Sequence, residues 1–163
     1  MADVSGHGVT SSLLTSWMAA FHGRSKTPSQ LIQKLNAMLV QENIEKHITM
    51  VAGILNLATH EVCWSSAGHY PPPIIFEPNQ PPQILTTSSF PLGLTEELEV
   101  VEHRCTLSRQ ARFILCSDGA LEPFDGGLND QFNQLVEHLQ HDAFKAPDHV
   151  ADDIAILSIC RMN

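Results

Sequence analysis

Apolar residues recur at helical spacing up to about residue 42, then give way from His47 to short β-branched runs, and this change of period constrains the fold most. In residues 9–22, Leu13, Leu14, Trp17, Met18 and Phe21 follow helical spacing and read as core, with Gly23 as a stop. Thr27-Pro28-Ser29-Gln30 reads as a helix start, with Thr as the cap and Pro at the first helical position. Leu31, Leu35, Met38 and Leu39 carry that second helix to about Glu42. His47–Leu57 and Glu61–Ser66 then predict a hairpin turning at Ala58-Thr59-His60. The proline-rich stretch Gly68–Pro73 breaks regular structure, because proline lacks the donor a ladder needs. Ile74–Phe76 and Gln83–Leu85 are short strands around the loop Glu77–Pro82. Glu97–Leu107 alternates in part, and Arg112–Cys116 is a short apolar strand. Phe132, Leu135, Val136 and Leu139 predict a third helix, and Asp153–Cys160 a last strand. A helix pair, then strands, then a helix and a strand predicts an α+β fold rather than a βαβ series.

The 163 residues fit one domain, and 43% hydrophobic content is enough for a core without disulfides. The formal charge of −9 argues against nucleic acid and anionic membrane as partners, both being polyanions. It suits a metal site or a protein partner. No apolar run approaches the roughly 20 residues of a membrane span, and the N-terminal residues carry no signal-peptide pattern. Cys63, Cys105, Cys116 and Cys160 form no CxxC pair, and three sit in apolar strand-like runs. Buried free thiols are therefore expected, which suits a reducing cytoplasm.

Chemistry concentrates in three acidic motifs. Asp3 lies in Asp3-Val4-Ser5-Gly6-His7-Gly8, and Asp118 in Ser117-Asp118-Gly119 directly after an apolar strand. Asp152 and Asp153 directly precede another strand. Carboxylates at strand ends, beside glycines that admit close backbone approach, suit hard cations such as Mg²⁺ or Mn²⁺. Each motif alone is more often a solvated turn. Together with Ser66-Ala67-Gly68-His69-Tyr70-Pro71-Pro72, Pro91-Leu92-Gly93-Leu94, Ser117-Asp118-Gly119-Ala120-Leu121-Glu122 and Asp152-Asp153-Ile154-Ala155-Ile156-Leu157, they form an ordered set. That set resembles the SpoIIE-like (RsbU-type) branch of the PPM, or type 2C, protein serine/threonine phosphatases, over essentially the whole chain.

The resemblance implies an α-β-β-α sandwich with two Mn²⁺ or Mg²⁺ ions at one edge of its sheets. It implies Asp3 as a bridging ligand, the Val4 backbone carbonyl as a second ligand from that turn, and Asp118 as a further one. Asp152 matches the last ligand position, with Asp153 as second choice. The nucleophile it implies is a metal-activated water, which accords with the lack of any Ser-His-Asp or cysteine nucleophile arrangement. His7 is a candidate general acid for the leaving serine or threonine oxygen, since its ordinary pKa lies near neutrality. Gly6, Gly8, Gly68 and Gly119 read as backbone-geometry residues, and His69 as part of its proline-rich turn.

The first motif begins two residues into the chain, before any strand that could position it. Members of the family usually carry preceding strands and an earlier Gly-Gly-Asp motif. The expectation is an N-terminally incomplete domain, the output portion of a longer signalling regulator, with a sheet edge open to a homodimer contact. Two functions compete. One is hydrolysis of phosphoserine or phosphothreonine on a regulatory protein such as an anti-sigma-factor antagonist. The other is a catalytically impaired adaptor that binds a sigma or anti-sigma factor.

Overall fold

A computed structural model describes the chain apart from residues 5–8, 43, 45, 88, 142, 143, 147, 148, 150, 151 and 163. Side chains at 9–11, 13, 14 and 22 also lie outside the described set, among them the expected core residues Leu13 and Leu14. The chain forms two compact units. One comprises Met1–His69 with Thr87–Thr106, the other Tyr70–Thr86 with Leu107–Asn163.

The first unit contains β1 (Ala2–Val4), α1 (Val9–His22), α2 (Pro28–Gln41), β2 (Ile48–Asn56), β3 (Glu61–Ala67) and β6 (His103–Thr106). Its antiparallel sheet has the order β1-β2-β3-β6. Helix α2 starts where expected: Thr27 is extended, and its hydroxyl accepts the Gln30 N–H at 3.3 Å. Its buried stripe is Pro28, Ile32, Leu35, Asn36 and Leu39, an i, i+4, i+7 spacing, with Leu31 and Met38 only half-buried at the margins. These side chains pack with Ile48, Met50, Ala67, Leu92 and Leu98, and Trp17, Met18 and Phe21 of α1 close over the same cluster. Each fully buried Leu or Ile there contributes about 1.5–3 kcal/mol. Across β3 and β6, Trp64 stands opposite His103 and the rings stack at 4.6 Å.

The second unit contains β4 (Ile74–Phe76), β5 (Gln83–Ile84), β7 (Arg112–Cys116), α3 (Leu128–Gln140) and β8 (Ile156–Cys160), with a 3-10 turn at Asp118–Leu121. Its sheet, also antiparallel, runs β5-β4-β7-β8. Ile74, Phe76, Ile114 and Cys116 from the sheet pack with Ala120, Leu121 and Phe124 and with Leu135 and Leu139 of α3. The central strand β7 is buried on both faces.

Three expectations change. Only His103–Thr106 of the partly alternating stretch 97–107 is a strand; before it, Ser89 donates to the Glu99 carbonyl and Ser29 to the Glu102 carboxylate. The last strand begins at Ile156, because Asp153 and Ala155 bond into the turn that follows β7. Cys63 and Cys116 are buried, but Cys160 is exposed and Cys105 half-buried, since each lies on an edge strand of its sheet.

Candidate active site

Each sheet carries acidic residues at strand ends. In the first unit, β1 pairs with β2 so that Asp3 stands opposite Thr49 and Val4 opposite Ile48. Ala2 and Val4 pack against the apolar cluster, and alternation turns Asp3 outward, where it is exposed. The Val51 N–H extends this ladder to the Met1 carbonyl at 2.9 Å. A three-residue strand of this kind has no sequence signature; its neighbour β2 creates it. Ser5, Gly6, His7 and Gly8, including the candidate general acid and two of the expected turn glycines, lie outside the described residues.

In the second unit, β7 and β8 deliver two acidic segments to one end of the sheet. Cys116 pairs with Ile156, so the residues after 116 and before 156 run side by side. Asp118 opens the 3-10 turn, is exposed, and accepts the Gly119 N–H on Oδ1 at 3.1 Å. Asp152 and Asp153 are exposed, and the Asp153 N–H donates to Asp152 Oδ1 at 2.8 Å. The two segments are in close contact. A Cβ on Gly119 would stand 2.5 Å from the Asp153 carbonyl oxygen and 3.2 Å from that of Asp152. Gly119 is therefore a contact glycine. Ser117 fastens the contact, donating from Oγ to the Asp153 carbonyl at 2.9 Å.

The glycines of the other quoted motifs, Gly68 and Gly93, build scaffold in the first unit. Gly68 has φ +61°, and its missing Cβ leaves room for Pro91, whose ring would otherwise lie 2.6 Å away. Gly93, at φ +88°, lies under the Lys46 carbonyl, and Leu92 exchanges two backbone bonds with Ile48. The buried Asn36 of α2 holds this loop: its Oδ1 accepts the Gly93 N–H at 2.9 Å, and its Nδ2 donates to the Thr95 and Glu96 carbonyls at 3.0 and 3.3 Å. Sequence reading gave Asn36 no role, because its partners lie 57 to 60 positions away. His69 is buried in its turn.

Burial pushes the Cys116 thiol, two residues before Asp118, up to about 12, so at neutral pH it is an apolar packing group and no nucleophile. Among the described residues, no three His, Cys, Asp or Glu side chains are gathered closely enough to hold a metal ion. The donors at the second unit's site are nonetheless all oxygen: the Asp118, Asp152 and Asp153 carboxylates, with backbone carbonyls beside them. That chemistry fits Mg²⁺ or Mn²⁺, and Mg²⁺ is commonly held by one or two carboxylates with the remaining positions kept by water. A thiolate or imidazole site is not what these residues offer.

The sequence profile described as Stage II sporulation protein E (SpoIIE) matches residues 1–161. A curated relative, the phosphoserine phosphatase RsbP of Bacillus subtilis (strain 168), is 24% identical over 93% of this chain; the chain spans 42% of that relative's length. Among solved structures, the RsbU and RsbW domains of a Mycobacterium tuberculosis protein superpose with a TM-score of 0.73 at 18% identity, covering 98% of this chain and 50% of that one. RsbX in complex with magnesium superposes with a TM-score of 0.60 at 15% identity, covering 98% and 78%. These likenesses, with that to a bacterial serine phosphatase, show the fold: the mixed, antiparallel-sheet PPM type expected from the motifs. No described helix is long and apolar enough to cross a membrane.

Proposed function

The chain belongs to the SpoIIE family, and from that premise we propose that residues 1–163 form one phosphatase domain that hydrolyses phosphoserine or phosphothreonine on a regulatory protein. The observation that carries this reading is the abutment of the Asp118 turn on the Asp152–Asp153 segment through Gly119. Two acidic segments more than 30 positions apart meet at the end of the β7–β8 strand pair, and all three of their carboxylates are exposed. The magnesium complex of RsbX supports a divalent cation here, and Mn²⁺ fits the same donors.

Asp118 and Asp152 would hold a metal ion in the second unit, with Asp153 as second choice; in the first unit, Asp3 and the Val4 carbonyl would be the ligands. Bound cations supply Lewis-acid polarisation of the phosphoryl oxygens and a lowered pKa for water. The chain's own part is to fix the carboxylates and to keep competing nucleophiles away, and Cys116 satisfies the second condition by burial. His7 is the proposed donor of a proton to the leaving serine or threonine oxygen. The substrate we favour is a phosphorylated anti-sigma-factor antagonist; the relative RsbP is named a phosphoserine phosphatase. The chain spans 42% of RsbP's length; its proposed role is the output of a cytoplasmic signalling regulator. The four free thiols are consistent with that compartment.

The test is release of phosphate from a generic phosphoester and from a phosphorylated anti-sigma-factor antagonist, with and without Mn²⁺. Metal-dependent release that falls at least about 100-fold in Asp118→Asn is expected, since ligand loss exceeds the 10–100-fold cost of outer-shell changes. No release from this chain or from an N-terminally extended one would overturn the enzyme reading and favour the adaptor, which direct binding to a sigma or anti-sigma factor would then establish.

A further inference from the structure

Where β7 ends, the ladder with β8 changes hands. The pair after Cys116 and Ile156 is Ser117 and Ala155, and the Ser117 N–H donates to the Ala155 carbonyl at 2.8 Å, as an antiparallel ladder requires. The reciprocal bond is different. The Ser117 carbonyl accepts the Ala120 N–H at 3.1 Å, which starts the 3-10 turn carrying Asp118. The Ala155 N–H goes instead to Ser117 Oγ at 2.8 Å, and the hydroxyl proton is donated to the Asp153 carbonyl at 2.9 Å. One hydroxyl thus stands in for a backbone acceptor and also clamps the neighbouring chain.

We propose that Ser117 is the positioning residue of the acidic site: its hydroxyl releases its own carbonyl to form the Asp118 turn while holding the Asp152–Asp153 segment against that turn. The relevance to metal rests on the reading of Asp118, Asp152 and Asp153 as ligands; the clamp itself does not. Both uses of the hydroxyl are needed together. Alanine has neither, whereas threonine keeps an Oγ at the same position and should keep both. The clamp is solvent-exposed, so in Ser117→Ala water can satisfy the freed amide and carbonyl while the segments lose their fixed spacing.

The experiment uses the full chain as wild type, Ser117→Ala and Ser117→Thr, with two readouts. The first is amide hydrogen exchange without metal. Ala155 is expected to lose protection in Ser117→Ala and keep it in Ser117→Thr, with Phe113 and Ile159 unchanged in both. The second is Mn²⁺ affinity, titrated by the paramagnetic signal of the free ion. Ser117→Ala is expected to bind about 10–100-fold more weakly, and Ser117→Thr within about twofold of wild type. Unchanged protection at Ala155 in Ser117→Ala overturns the clamp, and measurable but equal Mn²⁺ affinity in wild type and Ser117→Ala overturns the positioning role. A wild type that binds no Mn²⁺, but whose Ala155 protection depends on Ser117, overturns the ligand reading and leaves the clamp standing. If Ser117→Ala fails to fold, Ser117→Thr decides: exposed Ala155 or weakened Mn²⁺ binding in that variant overturns the proposal.

Discussion

Gly119 and Asp153 touch backbone to backbone: a Cβ on Gly119 would lie 2.5 Å from the Asp153 carbonyl oxygen and 3.0 Å from its carbonyl carbon. Neither atom belongs to a flexible side chain, so one segment must move to admit a methyl group. Gly119→Ala is expected to destabilise the fold by about 1–3 kcal/mol. It should also lower metal-dependent phosphoester hydrolysis at least about tenfold, because it separates the acidic segments. Urea unfolding and steady-state rates, measured on the same preparation, check both. Wild-type rates in the variant would show that the contact does not set the site.

Asn36 joins a helix to a loop that no local signal connects to it. Asn36→Ala leaves the Gly93 N–H without its acceptor and two carbonyls without their donor, at a cost of about 2 kcal/mol or more. Asn36→Asp should be worse, since a carboxylate would then face the Thr95 and Glu96 carbonyls. The urea midpoint should fall in both with an unchanged m-value. A midpoint within 0.3 M of wild type (roughly 0.5 kcal/mol at a typical m) would refute the assignment.

Glu102 gives the first unit an acid-sensitive tie. Hydrogen bonds from Ser29 Oγ, at 2.7 Å, and from Thr27, with smaller help from Cys63 and Arg104, hold its carboxyl down at about 2, against an ordinary 4.5. A depressed folded-state pKa means that the stabilisation is present above the unfolded value. It is lost as pH falls from about 4.5 to about 2. Glu102→Gln should flatten that limb of the stability–pH curve and cost within about 1 kcal/mol at pH 7, the range for exposed charge pairs. Ser29→Ala should raise the Glu102 pKa, readable by carboxyl NMR titration. An acid limb of the same slope in Glu102→Gln would exclude this residue as its source.

Strand β8 is an edge strand without a charged residue, and Leu157 is 48% exposed. Ladder bonds at Ala155 and Arg161 point inward to β7, so by alternation the backbone groups of Ile156, Ser158 and Cys160 face outward. An edge of this kind favours pairing with a second copy. Concentration-dependent association is expected in sedimentation, and Leu157→Lys should abolish it without loss of fold. A monomeric wild type at high micromolar concentration would rule out the homodimer.

Much of this protein was legible in its sequence for local reasons. Thr27 and Pro28 start α2 because capping and a fixed φ act within one turn. The short apolar runs became β2, β3 and β7 because hydrophobicity and strand propensity are carried by adjacent residues. The ordered aspartate and glycine motifs gave the family because they are short and contiguous. Only the tertiary structure decided what those motifs touch. Gly119 meets the Asp152–Asp153 segment, Ser117 Oγ replaces its own carbonyl in the ladder, and Asn36 reaches Gly93 across 57 positions. Strand β1 exists because β2 lies beside it, and the last strand starts three residues late because Asp153 and Ala155 are drawn into the Ser117 clamp. Sequence supplied donors, acceptors and glycines one at a time; which of them meet was settled by pairing between distant segments, where a hydrogen bond or a missing Cβ has meaning only once its partner is in place.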